Sequence, residues 1–364
     1  MFNPSRLSLA RQRRRLTAKA LAEAAGISPV TVTRLETGGN EPEPTTVDAL
    51  AAALAYPAAF FFGDEPARPD QQGASFRSLT AMSARERDAA LSAGALAYML
   101  SDWISARFNL PTADLIDASQ ERDPARAARA LREHWSLGEQ PVGDMIRLLE
   151  AKGVRVFSLV ENTRNVDAFS CWRDDVPYVF LNTWKTTERS RFDAAHELAH
   201  LVLHKHGGPH QGKPVELEAQ MFAASFLMPE PDIRAKIPRA VSLDALVIAK
   251  RRWGVSASAL AYRLHKLGIL TDWLYRGMVI EMGRRGFRSD EPNGMPRESS
   301  VLLKRVLTDL WHDGISRSHI ARELNIPPDE LENLVFGLLG APGHSGTNTV
   351  TLEKSPSQVG LRLV

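Results

Sequence analysis

The sequence predicts an α+β protein, mainly helical: a helical N-terminal module, a core setting a small antiparallel sheet against a metal-type helix, and a helical C-terminal region. Three observations lead there. Near the N-terminus, apolar residues recur at helical spacing on either side of one glycine turn. Between residues 154 and 182, short β-branched and aromatic runs alternate with Asn, Asp and Pro. Soon after them, His196-Glu197-Leu198-Ala199-His200 sits in a small, apolar helical stretch. With 364 residues and 44% hydrophobic content, the chain can fill two or three cores.

The first module is expected over residues 1–66. Leu21, Ala22, Ala25, Ile27, Val32 and Leu35 fall on buried-type positions of two short helices, with Gly26 as the turn and Ser28 as an N-cap. Pro29, Val30, Thr31, Thr33 and Arg34 face outward from the second helix. Through residue 40, Arg6, Arg11, Arg13, Arg14, Arg15, Lys19 and Arg34 stand against only Glu23 and Glu36, although the whole chain carries just +2. A focused basic patch suits phosphate, and the near-neutral total argues against nonspecific coating of nucleic acid. The A-G-I-S…L-E-x-G run resembles the repressor-type (XRE) helix-turn-helix family. That resemblance implies DNA contact through Lys19, Ser28, Val30, Thr31, Thr33 and Arg34, with Val30 suited to a thymine methyl and Arg34 to guanine. Ala18 stands where many such domains have glutamine, and Pro29 and Val30 cannot hydrogen-bond a base. The competing reading is a helical module that docks protein. Modules of this type usually bind as dimers, which leaves a homodimer open.

Residues 67–75, ARPDQQGAS, read as a linker, and the Ala-, Leu- and Arg-rich stretch 76–150 as helices bracing the core. Three strands are expected, VRVFSLV (154–160), AFSCWR (168–173) and PYVFLN (177–182). Thr186 or Thr187 then caps the next helix, with Glu188 in its first turn. Cys171, the single cysteine, reads as a small buried hydrophobe. With no disulfide framework, no signal peptide and no membrane-length apolar run, a cytoplasmic location without a membrane partner is expected.

Within RFDAAHELAHLVLH, His196 and His200 project from one helical face and Glu197 lies beside them. Two imidazoles plus one carboxylate suit a catalytic zinc that keeps one position for water. The plain alternative is a pair of histidines satisfied by hydrogen bonds. A third ligand is expected from the following helix, Val215 to Pro229, whose acids are Glu216 and Glu218. Spacing does not choose between them; one should ligate and the other should face water.

RFDAAHELAHLVLH followed by ELEAQMFAASFLMP resembles the ImmA/IrrE family of metallo-endopeptidases, whose pattern is HELGHxxLH and then E-x-x-A-N-x-F-A-x-x-L-x-P. The likeness covers about residues 150 to 270. It implies a zincin-like core in which His196, His200 and Glu216 hold Zn²⁺, Mn²⁺ being admissible, and Glu197 is the general base. Glu218 falls on a variable position, and Gln220 replaces the usual asparagine. His204, His206, His210, Tyr178 and Tyr262 are candidate oxyanion donors, while His204, one turn after His200, reads equally as a residue behind the ligands or on the surface rather than a fourth ligand. Members of that family cut a partner transcriptional repressor, releasing genes of stress response, DNA repair or mobile elements. The expected function is therefore a DNA-binding zinc endopeptidase regulating transcription, its peptidase region spanning residues 76–284. The alternative is a helix-turn-helix regulator whose peptidase-like domain serves as a non-proteolytic sensor or dimerisation scaffold.

Residues 285–364 are expected to form a helical C-terminal region, opened by a polar loop over 285–300. Residues 315–338 again have the shape of helix, turn, helix, but the second helix carries Asp329, Glu330 and Glu332. Acids there repel phosphate, so a structural or protein-docking role is expected. The last 24 residues read as flexible or weakly stranded.

Overall fold

The computed structural model describes residues 1–70, 83–159, 168–205, 212–237, 242–287 and 290–339, together with the backbone of strands at 354–355 and 358–360. It is mainly helical, with two three-stranded sheets among the described residues. Two compact units emerge: Met1–Pro111 with Phe157–Val166 and Val301–Val364, and Thr112–Val156 with Asp167–Ser300. No described helix is long and apolar enough to cross a membrane.

In the first unit, α1 (Pro4–Arg13), α2 (Ala18–Ala25), α3 (Pro29–Glu36), α4 (Pro44–Leu54) and a 3₁₀ turn (Ala58–Phe62) enclose Leu7, Leu21, Ala22, Val32, Leu35, Leu50 and Phe60. Thr17 and Ser28 cap α2 and α3 by accepting the Ala20 and Thr31 amides, and Gly26 turns between them at φ +67. Helix α5 (Ala84–Ser105) begins with a Ser83/Glu86 capping box. Ala89, Ala90, Ala93, Gly94 and Ala97 are buried along it, and such small residues permit close helix approach. Of the stretch 76–150 expected to brace the metal core, α5 packs instead against α1 and the C-terminal helix α16 (Pro328–Val335), whereas the helices at Pro124–His134 and Met145–Ala151 pack against Thr187–Leu203. Of the expected linker 67–75, the described part is fastened: Arg68 donates to Gln12 Oε1 and to the Ser5 carbonyl, each at 2.7 Å. Residues 71–75 lie outside the described set.

The C-terminal helices α14 (Val301–His312), α15 (Arg317–Glu323) and α16 close on the same unit, bringing Leu303, Val306, Leu310, Ile320 and Leu331 against Leu100 and Ile104 of α5. Arg13 meets Glu330 at 2.7 Å, and Arg14 meets Asp329 at 2.8 Å. The acids of α16 thus dock on this chain's own arginines. Near the end, β6 (358–360) pairs parallel with β1 (Phe108–Asn109) and antiparallel with β5 (354–355).

In the second unit, β3 (Ala168–Arg173) and β4 (Val176–Leu181) form an antiparallel hairpin; the sheet order is β2–β4–β3, with β2 (Arg155–Ser158) lying where the division between the units falls. Phe169 and Phe180 stack across it at 4.3 Å, and Cys171 is buried on β3. Helix α8 (Thr187–Leu203) lies on this sheet and packs most extensively against α9 (Lys213–Leu227), which also rests on α6 (Pro124–His134). Arg132 of α6 donates to the Phe226 carbonyl at the end of α9. Three further helices follow α10 (Glu230–Lys236): α11 (Leu243–Ala249), α12 (Ala257–Lys266) and α13 (Asp272–Arg284). Helix α7 (Met145–Ala151) lies between α6 and β2.

The start of α8 is anchored by buried charge. Thr186 caps it, Glu188 pairs with Lys250 at 3.2 Å, and Arg191 pairs with Glu298. Residues 290–300, expected as part of a polar loop, therefore run as a fastened strap: Glu291 also meets Lys250 at 3.1 Å, and the Met295 amide donates to Glu188.

The Arg13–Glu330 pair is buried, with side chains 8% and 2% exposed. Glu330→Ala should cost about 3–5 kcal/mol by removing the buried carboxylate that pairs with Arg13. Urea unfolding of the full chain measures this, and a midpoint unchanged from wild type would contradict the pairing.

Candidate metal centre and nucleic-acid interface

Two helices build the centre. On α8, 3.6-residue periodicity stacks His196 and His200 one turn apart, with ring centroids 4.9 Å apart. Helix α9 starts at Gly212, whose φ of +131 suits a residue without Cβ, and Glu216 falls in its first turn. The α8–α9 packing sets that turn against the two rings.

The distances are consistent with one small cation. His196 Nε2 lies 3.1 Å from Glu216 Oε2, and His200 Nε2 lies 3.2 Å from His196 Nε2 and 3.8 Å from Glu216 Oε1. Among the described residues these three form a group whose ligand atoms all lie within 4.8 Å of one another. Tetrahedral zinc with bonds of 2.0–2.1 Å separates its ligand atoms by about 3.3 Å. Glu216 and His200 are buried and His196 nearly so, as a closed donor set requires. Burial by itself would lower the His196 pKa, but the Glu216 hydrogen bond and the Glu197 and Asp193 charges raise it overall. For His200, burial first and then the neighbouring imidazoles His196 and His204 push the pKa well down.

Glu197 is buried at 2% exposure, and the Ser170 hydroxyl of β3 donates to its Oε2 at 2.7 Å. That bond fixes the carboxylate on the same helix as the two imidazoles. Spacing along the chain gives no sign of Ser170; it arrives through the β3–α8 contact. Lys185 is a second group that sequence reasoning missed. Its Nζ lies 3.4 Å from Asp193 Oδ2, and burial lowers its pKa to about 8 against the opposing pull of Asp193.

Glu218 does not simply face water. Its Oε2 lies 3.2 Å from His204 Nε2, while His204 Nδ1 lies 3.1 Å from His200 Nδ1. Of the oxyanion candidates, His204 is therefore engaged behind His200. Tyr178 is buried in the sheet beside Phe180, and Tyr262 packs with Tyr275 and Lys266. His206 and His210 lie outside the described residues.

On the helix-turn-helix, α3 presents Val30 and Arg34 to solvent. Ser28 and Thr31 pair through their hydroxyls at 2.8 Å, and Thr33 donates to the Pro29 carbonyl at 3.1 Å. Lys19 is 78% exposed, with Glu23 at 3.9 Å. The basic patch counted from sequence needs correction, because Arg6, Arg11, Arg13 and Arg14 are engaged within the unit. Arg6 donates to the Phe60 and Asp64 carbonyls, Arg11 grips Glu36 at 2.7 Å, and Arg13 and Arg14 meet the acids of α16. Glu330 and Asp329 lie more than 300 residues away along the chain, beyond any local charge count.

Comparison with known proteins agrees with this arrangement. An IrrE N-terminal-like domain, peptidase M78, matches residues 149–265, and a helix-turn-helix family matches residues 7–61. No curated protein matches the chain. Residues 7–61 are thus similar to a helix-turn-helix family, and residues 149–265 to the IrrE N-terminal-like domain of peptidase M78.

Proposed function

We propose that this protein is a DNA-binding zinc endopeptidase that regulates transcription by cleaving a partner repressor, with stress-response, DNA-repair or mobile-element genes as the output. The observation that carries this reading is the convergence of His196, His200 and Glu216 beside a buried, hydrogen-bonded Glu197. A scaffold without catalysis has no use for an oriented carboxylate at that place.

Zn²⁺ held by these three side chains, or Mn²⁺ on the same donors, would supply a Lewis acid that polarises the scissile carbonyl and acidifies water. Glu197 accepts the proton of the attacking water and returns it to the leaving amine as the C–N bond breaks. Ser170 keeps Oε2 in position through that transfer. Lys185 adds positive charge to the field around Glu197. Strand β3 lies at a sheet edge beside α8, where an extended peptide could add as a further strand. On DNA, the exposed Lys19 serves phosphate and Arg34 a base edge, with Val30 against a methyl group and Ser28, Thr31 and Thr33 lining the approach.

Metal content tests the centre. Wild type should hold about one metal per chain, Glu197→Gln should retain it, and His196→Ala should lose it. With a co-expressed repressor, Glu197→Gln should cleave about 10²–10⁴-fold more slowly. Metal without cleavage of any regulator would instead favour a sensor or dimerisation scaffold, and no metal after reconstitution would end the catalytic reading.

Gel shifts of the full chain test the DNA face. Arg34→Ala should weaken specific binding by about 1–3 kcal/mol, with a smaller loss on unrelated sequence. Absence of any wild-type shift at low salt would remove DNA from the proposal.

A further inference from the structure

We propose that His204 and Glu218 form a positioning relay that fixes the tautomer and orientation of His200 and registers the Glu216-bearing turn; this rests on reading the His196–His200–Glu216 cluster as a metal centre. His200 turns Nε2 toward that cluster and Nδ1 toward His204 Nδ1 at 3.1 Å. His204 in turn points Nε2 at Glu218 Oε2, 3.2 Å away.

The proton positions follow from chemistry. A ligating imidazole nitrogen needs its lone pair, so His200 carries its proton on Nδ1. That N–H donates to His204 Nδ1, which must then be the acceptor and leaves the His204 proton on Nε2. Nε2–H donates to Glu218, and an ionised carboxylate only accepts. Shifting both imidazole protons would set a His204 lone pair against the Glu218 carboxylate. It would also turn an N–H of His200 toward His196 Nε2. One placement of the protons serves both the His200–His204 and the His204–Glu218 bonds while freeing His200 Nε2 to ligate.

The relay also crosses between helices. His204 caps α8, its amide donating to the His200 carbonyl at 3.1 Å. Glu218 stands two residues after Glu216 in the opening turns of α9. The His204–Glu218 bond therefore ties the end of α8 to the segment that supplies the third donor. His204 is largely enclosed at 15% side-chain exposure while Glu218 is 47% exposed, so the imidazole should matter more than the carboxylate.

Zinc affinity of the full chain, measured by competition with a chromophoric chelator, tests the relay alongside unfolding of the metal-free protein. His204→Ala should bind zinc about 10–100-fold more weakly, with Glu218→Ala shifted less and in the same direction. His204→Asn, whose amide oxygen can accept the His200 proton near the former Nδ1, should recover most of the loss. The metal-free unfolding midpoint should stay close to wild type in all three. Equal affinity in wild type and His204→Ala overturns the relay alone, as does a loss that His204→Asn fails to recover. No zinc in wild type overturns the metal reading beneath it.

Discussion

The packing of α8 against α9 is the constraint on which the site depends. The His196–Glu216 hydrogen bond links the two helices at one point, and their packing must bring His200 to the same place. Ala194, Ala195, Leu198 and Ala199 on α8, with Ala219, Phe222 and Ala223 on α9, are fully buried, and the small side chains let the backbones approach. Arg132 secures the far end of α9, and Trp135 meets Phe226 edge-on at 5.8 Å. At the other end, the Lys250 and Arg191 pairs fasten the start of α8. Rigid support of this kind is what a donor set needs, since a ligand misplaced by an ångström loses most of its value.

What the sequence made legible was periodic or local. Heptad-like stacking of His196 and His200, the caps at Thr17, Ser28 and Thr186, and the strand runs all follow from spacing within one element. The two acids of α9 were not separable that way, because residues two apart on a helix point in different directions and only the neighbouring helix says which one faces the metal side. Resemblance picked Glu216, and the geometry places it against both histidines. Ser170, Lys185 and the His204–Glu218 bond were out of reach for the same reason: each contact forms only when separate segments are brought together.

The misjudged basic patch shows the same limit on a larger scale. A count of Arg and Lys through residue 40 treats each cation as available, yet Arg13 and Arg14 are satisfied by α16 and Arg6 by main-chain carbonyls. The acids of the C-terminal helix pair were expected to serve structure or protein docking, and Asp329 and Glu330 meet arginines of the N-terminal module of this same chain. The long-range closure also explains why α5 belongs with α1 and α16: its small-residue face is covered within the first unit.

That closure changes what the DNA-binding unit is. If residues 1–66 were self-sufficient, Arg13, Arg14 and Tyr56 would carry no obligation to the C-terminus. Instead Tyr56 donates to Glu330 at 3.4 Å and Arg14 stacks over its ring at 5.1 Å, placing α16 within the folding unit of the helix-turn-helix. With Arg13 and Arg14 paired, the positive field that the first module can offer a phosphate is smaller than its count of arginines suggests. Fewer phosphate-directed cations mean a shallower salt dependence and weaker nonspecific binding. On the proposed reading, discrimination between DNA sites would then rest on base contacts from α3, since phosphate contacts position a protein without reading sequence.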